Sequence, residues 1–297
     1  MDTYTLIHRG PDRVGESPVW DDRLMALWWV DIESQVIRRW NWQSNETHHW
    51  VLPERVGCIA LSVDDRVIAA LETRIVALRL HDSGEVDLQE LACITHPKPG
   101  MRFNDGRCDP NGRFWVGTMV MDMPANQNLG GLYCLDERGL TGPHVSGLYT
   151  PNGSAFSPDG TTFYLSDSHP LSQQVWAFEY DPLDGTLGAQ TNYVDMRCWP
   201  GRPDGAAVDV QGNYWICGND SGQVHAFSPA GEHLKSLIVP FPKPAMCCFG
   251  GPKLERLFVT SIVPGPEFRG ELGLSGAVVA LEPGVQGLQE PRFRCFP

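Results

Sequence analysis

Six apolar runs recur along this chain at near-regular intervals, at residues 27–31, 67–71, 114–117, 163–166, 214–217 and 257–260. Their starts lie 40, 47, 49, 51 and 43 positions apart, a period that marks repeats of one supersecondary unit, each too small to bury its own apolar face. A turn signal precedes each run: Asp21-Asp22, Asp64-Asp65, Asn111-Gly112, Asp159-Gly160, Gln211-Gly212 and Gly250-Gly251. Such pairs between apolar segments predict hairpins. A third run follows at 36–38, 75–78, 131–134, 175–178, 224–227 and 277–280, and most units continue into a more polar fourth, as at 46–52, 86–92 and 233–239. The predicted fold is therefore all-β: a six-bladed β-propeller with four antiparallel strands per blade.

No linker, charge block or low-complexity stretch interrupts the repeat, so residues 1–297 are expected to form one propeller domain. Residues 4–8 and 291–295 are both candidates to complete the last blade. No run of about 18 apolar residues is available for a membrane span, and the N-terminus lacks the basic start and apolar core of a signal peptide. Nine cysteines without a zinc-like or redox spacing suit a reducing compartment. The expected location is cytoplasmic. A net charge of −13 argues against nucleic acid or an anionic membrane as partner, while leaving a small anionic substrate open, since one arginine in a closed cleft outweighs a distant field.

In a propeller the first strand of every blade lines the central channel. The residues expected to open those strands are Glu16, Gly57, Asn104, Asn152, Asp204 and Cys247, at 11, 10, 10, 11, 10 and 10 residues before the second strand. Matched offsets put them at one depth, bringing two carboxylates and two amides around one point. Like charges facing each other in a narrow channel need a counter-ion, and no Lys or Arg holds an opening position. All-oxygen ligands suit a hard divalent cation. The expectation is one metal ion held by Glu16, Asn152 and Asp204, with Asn104 close by. Calcium or zinc comes first, then magnesium or manganese. Pro-Asn-Gly and Pro-Asp-Gly are ordinary turn sequences singly; their common register in four blades is what turn chemistry does not supply.

Taken together, Gly15-Glu16-Ser17-Pro18-Val19-Trp20, Arg102-Phe103-Asn104-Asp105-Gly106, Gly117-Thr118-Met119, Pro151-Asn152-Gly153, Pro203-Asp204-Gly205 and Cys247-Cys248-Phe249-Gly250-Gly251 resemble the senescence marker protein 30, gluconolactonase and regucalcin family. The similarity runs in order from about residue 14 to 285. The resemblance implies a metal-dependent hydrolase of sugar-acid lactones (aldono-, urono- or aldarolactones), with Glu16, Asn152 and Asp204 as metal ligands and Arg102 and Asn104 as substrate contacts. The acidic contact that the family often places three residues after Gly-Thr-Met is here Asp122. It is shorter than the glutamate common there, which leaves open the hydroxyl it would bind and hence the sugar.

A cation at the lactone carbonyl would stabilise the oxyanion formed on attack. Either Asp204 as general base or a metal-bound hydroxide would activate the water, and the sequence does not separate the two. The loops at 119–130 and 262–276 are candidate lids over the site, with His169 at the rim as a further substrate contact. Arg197 and Arg202 could add positive charge at the mouth, and Trp199 could stack on a sugar face. Two alternatives stay open: hydrolysis of other esters or phosphotriesters by the same kind of site, and a non-enzymatic calcium-binding propeller. The expected partner is a small-molecule sugar lactone; oligomeric state is left open, a monomer being compatible.

Overall fold

A computed structural model describes residues 3–296. It contains six four-stranded antiparallel sheets, the blades of a β-propeller. The inner strands are Gly15–Asp21, Cys58–Leu61, Met101–Cys108, Pro151–Phe156, Arg202–Val208 and Pro244–Gly250, and define blades I to VI. Each touches the next around the ring, and the last meets the first.

The hairpins between inner and second strands show why the turn pairs recur. In blades III, IV and V the glycines Gly112, Gly160 and Gly212 take φ of 84°, 71° and 84°. Each donates its N–H to the carbonyl three residues earlier, on Asp109, Ser157 and Asp209, at 2.9, 2.8 and 2.9 Å. That left-handed residue after a tight turn matches the right-handed twist of the strands it joins.

Between blades the core is aromatic and aliphatic. Trp29, Trp115 and Trp215 are fully buried, and their indole N–H groups are paired with Asp12, Tyr180 and Asp209 at 2.8, 3.1 and 2.9 Å, which removes the cost of burying a donor. All nine cysteines are free thiols, Cys247 and Cys248 included.

Of the two terminal segments, the N-terminal one closes the ring. Tyr4–His8 pairs with Val278–Leu281 as the outermost strand of blade VI. The C-terminal segment instead crosses the hairpin face: the Phe293 N–H donates to Leu61 O at 2.8 Å and the Arg294 N–H to Gly112 O at 3.1 Å. Among the described residues, no helix is long and apolar enough to cross a membrane.

Candidate active site

Pairing between inner and second strands fixes the depth of each channel residue. Gly15, Phe103, Pro151, Pro203 and Pro244 occupy equivalent rungs, opposite Asp31, Thr118, Asp167, Gly218 and Ser261. The next residues are Glu16, Asn104, Asn152, Asp204 and Ala245, and in all five blades the register then shifts by a bulge. A bulge re-aims the side chain beside it. Blade II has no such shift, and Cys58, opposite Ala70, stands at this level.

The four oxygen-bearing positions thus share a rung, as their spacing predicts. The two other blades are corrected: the rung is filled by Cys58 and Ala245, not by Gly57 and Cys247. Equal offsets fail there because the unbulged strand of blade II is one residue out of step and Cys247 lies beyond the bulge of blade VI. Cys247 points between blades, its thiol donating to Trp215 O at 3.6 Å.

Glycine is needed beside this ring. Gly153 has φ of 63°, and a Cβ there would lie 2.4 Å from Tyr214 Oη and 2.7 Å from Ser166 Oγ. Blades IV and V therefore approach closely just where Asn152 and Asp204 project.

Hydrogen bonds run around the ring from blade to blade. Arg102 Nη1 donates to Phe103 O at 2.8 Å and to Asn104 Oδ1 at 2.6 Å. Asn104 Nδ2 donates onward to Pro151 O at 2.8 Å and Asn152 Oδ1 at 3.0 Å. Asn152 Nδ2 donates to Ser168 Oγ at 2.6 Å, and that hydroxyl donates to Pro203 O at 2.5 Å. Asn219 Nδ2 then donates to Asp204 Oδ2 at 2.6 Å. Behind Asp204, Arg202 Nε donates to Asp220 Oδ2 at 2.8 Å, and Lys243 also donates to Asp220.

Burial pushes the Glu16 carboxyl well above the usual range, and the charges of Asp204 and Asp105 push it further, against the Ser17 N–H and Arg102. Burial likewise pushes Asp204 up to about 7, opposed by Arg202 and the Asn219 hydrogen bond. A third carboxyl, Asp105, is raised by burial as well. One of its oxygens accepts from the Ser154 N–H at 2.9 Å, while Oδ1 is buried without a partner. The role of Asp105 appears only when blade III packs on blade IV.

The carboxyls of Glu16 and Asp204, together with the amide oxygens of the same rung, are a donor set that fits a hard divalent cation. Among the described residues no three His, Cys, Asp or Glu side chains gather as a metal-binding group by themselves. A cation here would therefore use the amides together with the carboxylates of Glu16 and Asp204.

The remaining expected residues lie farther out. His169 is buried and stacks on Tyr149 with centroids 4.5 Å apart. Its Nδ1 accepts from the Leu171 N–H at 3.2 Å, so Nε2 carries the proton that faces Met123 O at 3.3 Å. His169 thus fastens the 119–130 loop. Asp122 is exposed on that loop, and its side chain does not cap the short turn Met123–Ala125. Arg202 is engaged with Asp220 as above, and Arg197 is paired with Asp195 at 2.6 Å. Trp199 stacks on His233 at 4.2 Å, so one face of its ring is already covered.

The family model for the SMP-30/Gluconolactonase/LRE-like region matches residues 14–263. A 6-deoxy-6-sulfogluconolactonase from Pseudomonas putida is 34% identical over 98% of this chain and 99% of its own. Regucalcin from Xenopus laevis is 31% identical over 95% of each chain. The crystal structure of a calcium-binding protein, regucalcin, from Agrobacterium tumefaciens superposes with a TM-score of 0.89 at 26% identity, covering 99% of this chain and 98% of that one. With most of its length matched by the family model, and with relatives above 30% identity along nearly the whole chain, this protein belongs to the SMP-30/gluconolactonase/LRE-like family.

Proposed function

We propose that this protein is a metal-dependent lactonase that opens sugar-acid lactones to the free acids. The observation that carries the reading is the single rung holding Glu16, Asn104, Asn152 and Asp204, in a chain 34% identical to a 6-deoxy-6-sulfogluconolactonase. Glu16, Asn152 and Asp204 would hold the divalent cation, calcium or zinc before magnesium or manganese. When bound, the cation supplies Lewis-acid polarisation of the lactone carbonyl.

The chain's own groups account for the proton and the fit. Asp204, with Oδ2 fixed by Asn219, takes a proton from the attacking water as the water oxygen bonds to the carbonyl carbon. The ring C–O bond then breaks, and the proton passes to the departing ring oxygen, which becomes a hydroxyl. One carboxylate positioned beside the carbonyl carbon serves both transfers, taking the proton and returning it. Arg102 and Asn104 contact the substrate beside the ring, Asp122 binds a sugar hydroxyl from the 119–130 loop, and His169 contacts the substrate at the rim while anchoring that loop.

The test is acid release from a panel of five- and six-membered aldono-, urono- and aldarolactones. 6-Deoxy-6-sulfogluconolactone belongs in the panel because of the Pseudomonas relative. Each rate is compared with a no-enzyme blank, since lactones open spontaneously. Chelator-sensitive opening of at least one lactone supports the reading, and faster turnover of aryl esters or phosphotriesters than of any lactone rejects it. Calcium binding without turnover would favour a binding propeller, a reading prompted by the calcium-binding regucalcin neighbour.

A further inference from the structure

A cavity opens on the face opposite the Glu16 and Asp204 ring, at the hairpin ends of the inner strands. It has a volume of 520 Å³, and its polar lining includes Arg23, Arg107, Arg292 and Arg294 together with Asp22 and Glu290. The walls come from the hairpin ends of the inner strands, and the C-terminal segment from Leu288 to Arg294 forms one side. We propose that this cavity is a second ligand site, for a small oxyanion-bearing molecule that presents a phosphate or carboxylate group.

The charge balance in the cavity points to an anion. Arg292 is neutralised by Asp21 and Asp22 at 2.6 and 2.7 Å, and Arg107 by Glu290 at 2.7 Å. Arg23 donates to Val63 O at 3.0 Å and meets one carboxylate, Asp65, at 3.3 Å; that carboxylate is 87% exposed, so solvent screens the pair. Arg294 has no carboxylate partner among the described residues. Arg23 and Arg294 are thus left without a buried carboxylate partner, in a chain of net charge −13. Solvated surface arginines are ordinary on a convex face, but here they converge on a concavity large enough for a metabolite. A planar guanidinium fork matches a carboxylate or phosphate in two-point geometry. Val63, Phe156 and Val208 supply apolar wall between the charges.

This cavity is separate from the channel mouth above. Arg107 bridges blade III to Glu290 and to Ala206 O of blade V at 2.7 Å each. The void left beside it is 10 Å³, about the size of one water probe. A ligand in the lower cavity does not reach the upper ring, so the two sites can be tested independently.

Calorimetric titration of the metal-loaded protein with inorganic phosphate and, separately, with succinate at constant low ionic strength tests the proposal. Saturable binding of at least one probe is expected. It should weaken by roughly tenfold to a hundredfold in the Arg23→Ala/Arg294→Ala double variant, as expected for lost charge-assisted hydrogen bonds, and persist in Arg102→Ala on the other face. Phosphate-only binding would assign the phosphoryl class and succinate-only binding the carboxylate class. Both substituted residues lie at the surface, and an unchanged melting temperature would show that the double variant is folded. Absence of saturable binding by either probe overturns the proposal, as does binding that Arg102→Ala abolishes and the folded double variant retains.

Discussion

Asn219 donates from Nδ2 to Asp204 Oδ2 across 2.6 Å, tying the second strand of blade V to the carboxylate proposed as the base. The bond stabilises the charged form of Asp204 and leaves Oδ1 for other partners. Asn219→Ala should lower kcat by about tenfold to a hundredfold, the scale of one lost hydrogen bond to a charged group. Because that bond pulls the Asp204 pKa down, the acid limb of the pH–rate profile should move to higher pH. A kcat loss with an unmoved acid limb would assign Asn219 a role in packing alone.

Arg102 donates from Nη1 to both Phe103 O and Asn104 Oδ1, which leaves Nε and Nη2 of the planar fork for a two-point contact with substrate that an ammonium on a flexible stem does not reproduce. Arg102→Lys should therefore raise KM nearly as much as Arg102→Ala, by roughly tenfold or more. Steady-state kinetics on the best lactone of the panel check this. Full rescue by lysine would mean that charge alone matters at this position.

The raised carboxyls make stability depend on pH and on metal. Between the ordinary carboxylate range and about 7, cation-free folded protein holds a proton on Asp204 that the unfolded chain has released, and the raised Glu16 carboxyl acts in the same direction. Stability is then fully present at low pH and is lost as pH rises through that window. Chelated protein should melt at a higher temperature at pH 5.5 than at pH 8, apart from the rest of its titration. Added cation should restore more at pH 8, about 2.7 kcal/mol at a hundredfold excess over its dissociation constant. Equal stabilisation by cation at both pH values would argue that it binds elsewhere.

Ring closure by Tyr4–His8 predicts a large penalty for removing a short segment. Deleting residues 1–8 exposes the edge of Val278–Leu281, an apolar strand buried along its length, and should lower the melting temperature and promote association. Light scattering and thermal melts read both effects. A truncated protein with an unchanged melting temperature would show that the outer strand of blade VI adds little.

The blades were legible because strand alternation and turn chemistry are local: Asn111-Gly112 and Asp159-Gly160 announce hairpins whatever surrounds them. The depth of Glu16, Asn104, Asn152 and Asp204 was legible too, since each lies just before a bulge in its inner strand. Where that device is absent, as before Cys58, or was counted from the wrong side, as at Cys247, counting failed. Bulges are features of strand pairing, with no residue signature of their own. Asp105 was hidden for a related reason. Its carboxylate acquires a role only through the Ser154 N–H, 49 positions away in the next blade. The bonds of Asn219 and Ser168 to Asp204 and Asn152 follow from packing between and within blades.

The central claim is that cation-dependent lactone opening runs through Asp204. Its most direct test is the chelator-sensitive initial rate of Asp204→Asn beside wild type, on whichever lactone of the panel wild type opens fastest, with calcium, zinc, magnesium and manganese each supplied. Wild type should open the lactone above the blank and lose that rate on chelation, while Asp204→Asn falls by about a hundredfold or more, the range set by loss of a general base. Wild type at the blank rate with every cation, or Asp204→Asn at the wild-type rate, would contradict the account.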